Sequence, residues 1–215
     1  MKSLMFSKRY LVYFIFFLTS FGCSQYNEEK VLIIFEKPPV LKQENDFLLK
    51  ASTNISKQNI SEFLLNQNWI NSFLIKKQFS KPLEIFIDTK EPKYIWQEKF
   101  YLDDKLTKFL YFGEYSNLLH LNMPIELVHK WSQFENKFNK LMQVYDLEIF
   151  SVTFNESEGW FFYTKSNIRI NIGSDISSSR FDKLSLTLKY IFEKNLTPSI
   201  IDLRYKNGAA LNYGK

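Results

Sequence analysis

A single cysteine, two histidines and six glycines are all that this 215-residue chain carries of those three residue types, and each scarcity closes a route. Cys23 stands alone, so no disulfide can form within the chain and any exported part must be held by its cores. His120 and His129 are nine positions apart, with no Cys or His-x₃-His spacing near them, which is no metal-ligand pattern. With so little glycine there is no phosphate loop, dinucleotide fingerprint or nucleophile elbow. Asp103-Asp104 is a carboxylate pair, but adjacent residues at a turn diverge into solvent, whereas catalytic pairs need a cleft that shifts their pKa values. Nothing in the sequence points to catalysis, a cofactor, a metal or a small-molecule substrate.

An excess of charge is nearly absent as well. The formal net charge is +5, yet three of the 28 basic residues (Lys2, Lys8 and Arg9) precede the first acid, Glu28, leaving 25 bases against 23 acids. No basic run appears later in the chain, so the clustered footprint that nucleic acid requires is missing. What the chain does have is apolar material. Hydrophobic residues make up 45% and aromatics 18%, which excludes disorder and suffices for one large domain or two small ones.

The first segment is a targeting signal. MKSLMFSKRY is basic and acid-free, and LVYFIFFLTSFG comes next without a charge, which orients the positive end to the cytoplasm. The uncharged run over 10–27 is near the lower limit for a spanning helix, and its strongly apolar part is shorter. Ser-Phe-Gly-Cys at 20–23 also has the shape of a relaxed lipoprotein cleavage box, which would make Cys23 a lipidated N-terminus. An uncleaved anchor is the expectation, with lipidation at Cys23 the alternative. Either one exports the chain beyond residue 27.

Periodicity then predicts a strand over 30–38, helices over 43–52 and 56–70, and strands over 72–79 and 83–89, the last alternating Leu83, Ile85 and Ile87 against Glu84, Phe86 and Asp88. A hairpin over 94–102 with an Asp103-Asp104 turn comes next. Over 107–124 the pattern weakens, which on pattern alone reads as a junction. A helix over 125–145 carries the stripe Leu127, Val128, Trp131, Phe134, Phe138, Leu141 and Met142, a core face. Strands over 147–154, 160–164 and 168–172 succeed it, then a helix over 180–195 capped by serines at 177–179. The chain closes on IIDLRYKNGAALNYGK, two short strands about an Asn207-Gly208 turn. Asp202 and Arg204, two apart, are expected on one face.

The order of these elements and the residues in them resemble the FtsQ/DivIB family of bacterial cell-division proteins. In the first half the family pattern is met by Trp69, Lys76-Lys77, Pro82, Leu83, Ile85, Glu91-Pro92 and Trp96. Lys105 and Leu106 stand where relatives have glycine after the aspartate. In the second half it is met by Trp160, the strand at 168–172 with Gly173, Arg180-Phe181, Asp202-Leu203-Arg204-Tyr205 and Asn207-Gly208-Ala209-Ala210. Ser174, Lys206 and Ala209 depart from it.

The resemblance implies an α+β protein: a cytoplasmic tail over 1–9, a membrane segment over 10–26, a polypeptide-transport-associated (POTRA) domain of β-α-α-β-β order over 28–92, and a β domain over 93–215. That β domain is expected as an antiparallel sheet on helices, ending in an edge hairpin. It further implies a non-enzymatic scaffold in the inner membrane at midcell, its bulk periplasmic. FtsB and FtsL would be held by the β domain and other divisome proteins by the POTRA domain. An exposed last strand suits docking by strand addition, which nominates Arg204, Tyr205, Asn207, Gly208, Ala210 and Tyr213. Packing of Tyr205 in the core and a plain type I′ turn at Asn207-Gly208 stay open alternatives. The runner-up function is an exported POTRA-containing lipoprotein of envelope assembly.

Overall fold

The computed structural model describes residues 31–36, 47, 60–79, 81–110 and 117–214, which fall into two units divided between Glu91 and Pro92. The tail, the membrane segment, Cys23 and the expected helix over 43–52, apart from Phe47, lie outside the described residues. No helix among the described residues is long and apolar enough to cross a membrane. The described fold is mixed α+β.

In the first unit the order is β1 (Val31–Phe35), α1 (Ile60–Leu65), β2 (Ile70–Lys76) and β3 (Leu83–Thr89). β3 is central, parallel to β1 and antiparallel to β2. Its alternation is the expected one: Leu83, Ile85, Ile87 and Thr89 are buried while Glu84, Phe86 and Asp88 are partly exposed. Phe35, Phe47 and Trp69 meet in the core, the last two edge to face at 4.9 Å. The expected helix over 56–70 runs too far. The polar run Asn66-Gln67-Asn68 turns the chain after Leu65, and Ile70 already opens β2.

The second unit is a nine-stranded sheet in the order β12-β11-β10-β9-β8-β7-β4-β5-β6. Its strands are β4 (Tyr94–Trp96), β5 (Phe100–Leu102), β6 (Lys108–Leu110), β7 (Leu119–Asn122), β8 (Ile149–Asn155), β9 (Gly159–Thr164), β10 (Arg169–Gly173), β11 (Ile200–Asp202) and β12 (Ala210–Asn212). α2 (Ile125–Gln143) joins β7 to β8, and α3 (Ser178–Glu193) joins β10 to β11. Helical crossovers return the chain parallel, so β7–β8 and β10–β11 are parallel, as is β4–β7. The sheet is therefore mixed, and the expectation of an antiparallel one is corrected. Val128, Trp131, Phe138 and Met142 of α2 and Leu184, Leu188 and Ile191 of α3 are buried, joining Val152, Phe162, Ile170 and Ile201 from the sheet. Burying each such side chain contributes about 1.5–3 kcal/mol, so these two stripes hold the helices in place.

Three local readings change. The β4–β5 hairpin turns at Gln97-Glu98, both at positive φ (52° and 55°), and the Lys99 amide donates to the Trp96 carbonyl (3.2 Å). That is a primed turn with left-handed central residues, within the three residues 97–99 that separate the paired Trp96 and Phe100, so Asp103-Asp104 is not its turn. Asp103 instead organises the next bend: its buried carboxylate accepts from the amides of Lys105 (3.0 Å) and Thr107 (2.7 Å). Finally, the weak stretch over 107–124 contains β6 and β7, short strands of the main sheet rather than a junction.

Candidate functional site

β12 closes the sheet at one side. It pairs with β11 in the register Ile200–Asn212, Ile201–Leu211 and Asp202–Ala210, and no strand borders its outer side among the described residues. An edge of this kind presents unpaired N–H and C=O groups to a partner chain. The end is tied down from within. Ser199 donates its amide (2.9 Å) and hydroxyl (3.2 Å) to the Asn212 carbonyl, and the Asn212 side chain accepts from the Gly214 amide (2.7 Å).

Between Asp202 and Ala210 lie seven residues, 203–209, so Asn207-Gly208 is not a two-residue type I′ turn. Gly208 alone of that pair is at positive φ, +94°. Leu203 explains the length. It remains fully buried and its amide donates to the Asn171 carbonyl (2.8 Å), which carries the chain along β10 past the end of β11. Arg204 and Tyr205 are consequently on the loop, not on a strand. Tyr205 is exposed, as is Tyr213, which corrects the alternative of a core tyrosine.

The sheet face away from the helices carries Arg169 and Asn171 of β10 beside Asp202 of β11. Here a shallow cavity of about 670 Å³ is lined by Arg169, Arg204, Tyr205, Ala210 and Tyr213, among others. The structure thus gathers four of the six nominated residues around one hollow. Gly208 lines a different groove of about 620 Å³, between the hairpin and α3, with Leu186, Tyr190 and Leu211. Asn207 is exposed at the loop tip.

Paired charges organise the hollow. Arg204 donates from Nε (3.0 and 3.1 Å) and Nη2 (2.6 Å) to the Asp202 carboxylate. That bond holds Asp202 below the usual carboxylate range and Arg204 above its ordinary value. Arg169 donates to Glu158 (2.5 Å) and to Asn171 (2.8 Å), and its guanidinium lies 4.2 Å over the Phe161 ring. The Asn155 amide, and then Arg169, hold Glu158 below its usual range. With both arginines paired to acids, the surface is a neutral, hydrogen-bonding floor flanked by two exposed tyrosines, suited to a peptide strand rather than to a free anion.

Sequence reasoning missed Arg169 as a site residue. The signal was available, since Ile168, Ile170 and Ile172 alternate against Arg169 and Asn171. What was missing was that β10, not a later strand, lies beside β11. The histidines do not converge: His120 bonds Glu98 (2.7 Å) and stacks on Phe150, while His129 is exposed on α2.

No protein-family model matches the chain. It is similar to the cell division protein FtsQ of Vibrio cholerae serotype O1 (strain ATCC 39315 / El Tor Inaba N16961), at 26% identity over 151 residues, covering 67% of this chain and 56% of that protein. A second relative is the cell division protein FtsQ of Aliivibrio fischeri (strain ATCC 700601 / ES114), at 21% identity over 162 residues, 72% of this chain and 61% of that one. The aligned stretch spans less than two thirds of the length of these curated relatives.

Proposed function

We propose that this chain, which belongs to the FtsQ/DivIB family of bacterial cell-division proteins, is a non-enzymatic division scaffold that holds its partners by strand addition at β12. The observation that carries this reading is the open edge itself. Among the described residues no strand borders the outer side of β12, which has a neutral hollow on one sheet face and, on the other, a groove to which Leu186, Tyr190 and Leu211 contribute. A strand added to β12 would point its side chains alternately to the two faces. One set would meet Arg204, Tyr205 and Tyr213, the other Leu186, Tyr190 and Leu211. Backbone pairing would supply affinity and the two faces would supply selectivity.

On this reading the partners are FtsB- and FtsL-type proteins, and the first unit is the POTRA domain that meets other divisome components. The N-terminal segment anchors the chain in the inner membrane at midcell, with residues 28–215 outside the cytoplasm. The test is capture of the FtsB–FtsL-type pair by the full chain. Arg204→Glu sets a second carboxylate beside Asp202 and removes the guanidinium, and truncation after Gly208 removes β12. Both are expected to lose capture while the first unit stays folded. Wild-type capture by the folded truncation would sink the reading.

A further inference from the structure

We propose that Arg180 and Lys183 of α3 are positioning residues, fixing the 203–206 turn in the one shape that presents Arg204 and Tyr205 at the docking edge. The inference rests on the strand-addition function proposed above. It begins from the peptide carbonyls of that turn. The Arg180 Nη1 donates to the Leu203 carbonyl. The Lys183 ammonium donates to the Tyr205 carbonyl at 2.5 Å, with the Lys206 and Leu203 carbonyls at 3.3 and 3.4 Å. An ammonium has three N–H donors and no acceptor, so three carbonyls match its capacity in number and kind.

The arrangement comes from helical spacing. Arg180 and Lys183 are three apart on α3, which places both on the flank that faces the hairpin. Their positions are held by the buried stripe Leu184, Leu188 and Ile191. Gly173 leaves room beneath the turn. A Cβ there would lie 3.4 Å from the Arg204 Cγ and 3.7 Å from the Arg180 Nη2, so the Arg204 stem and the Arg180 guanidinium close over the glycine. The Arg204 head then turns to Asp202.

The consequence concerns binding. A seven-residue loop whose tip is exposed would otherwise sample many conformations, and docking would have to order it at an entropic cost. With its carbonyls drawn onto α3 the turn is ordered in advance, so Arg204 and Tyr205 meet the partner already placed. Lys183 also lines the groove beside Gly208, so the order of the turn in the free protein, rather than affinity alone, isolates its positioning role.

The test compares Lys183→Met and Lys183→Arg with wild type, in the full chain in detergent. Two quantities are read: backbone order parameters at 204–207 by ¹⁵N relaxation, and affinity for the FtsB–FtsL-type pair. In wild type the order parameters should lie near the rigid value of about 0.85, and Met should bring them toward the flexible range below about 0.6. Met should also weaken capture about tenfold, and Arg, which keeps charged donors, should return it to within about twofold. Order parameters at 204–207 unchanged in Lys183→Met would overturn the inference. If wild type fails to capture the pair, the docking reading falls while the order parameters still decide the clamp. Should Met unfold the second unit, Lys183→Gln carries the same comparison.

Discussion

Removing Tyr205 or Tyr213 should cost the partner, not the fold. The two residues are 57% and 53% exposed, so the larger part of each is open to a partner and the smaller part is covered within the fold. A tyrosine offers about 150–250 Å² for burial, which leaves about 100 Å² of each for a docked chain to cover. At about 25 cal/mol per Å² that is about 2.5 kcal/mol. Ordering a side chain at an interface costs about 0.5–1.5 kcal/mol, so about 1–2 kcal/mol remains. With 1.4 kcal/mol equal to tenfold in affinity, Tyr205→Ala and Tyr213→Ala should each weaken capture about five- to thirtyfold. The assay is biolayer interferometry with the immobilised full chain and the purified FtsB–FtsL-type pair. Thermal unfolding in parallel should show both variants still folded, with a loss of at most about 2 kcal/mol from the covered part of each ring. Val144→Ala, at a site of 74% exposure just past α2, is the control and should leave affinity unchanged. Affinities within about twofold of wild type for both tyrosine variants would refute the placement of the site.

The same geometry sets other outcomes. Gly159 is at φ +75°, and a Cβ there would lie 2.3 Å from the Gly173 carbonyl oxygen. Left-handed backbone costs an L-residue roughly 1–2 kcal/mol, and overpacking adds about 1–3 kcal/mol. Gly159→Ala should therefore lower the unfolding midpoint by at least about 4 °C, whereas Gly208→Ala, at φ +94° but with nothing within 4 Å of its Cβ, should carry the backbone cost alone and lower it by less. Asp202 gives a pH signature. Its folded-state value lies below the ordinary one, mainly through the Arg204 hydrogen bond. The stability it contributes is thus fully present above the ordinary carboxylate value of about 3.9 and is lost as pH falls through the lowered value. Wild type should lose more stability than Asp202→Asn across that acidic window, measured by urea unfolding as a function of pH.

How much of this was legible in the sequence depends on which interaction decides each element. Strands β3 and β10 and helices α2 and α3 were readable because their apolar periodicity is the core-facing pattern itself. The three-residue strands β4 to β6 carry too few residues for a period. They exist because a sheet recruits them, as Tyr101 and Phe109 show by being buried at a register no local pattern sets. The parallel pairing of β10 with β11 was implicit in the helix between them, though the expectation of an antiparallel sheet overlooked it. The closing hairpin was visible as two strands and a turn, and the exposed tyrosines were among the residues nominated. The length of its loop was not visible, because Leu203, Arg180 and Lys183 set it through contacts with distant elements, beyond what Asn-Gly turn chemistry alone can report.

The most direct measurement is amide hydrogen exchange over 210–213 in the full chain, with and without the FtsB–FtsL-type pair. Strand addition at β12 should slow exchange there on binding while the opposite edge, β6, is unchanged. Binding of the pair with no added protection over 210–213 would contradict the account.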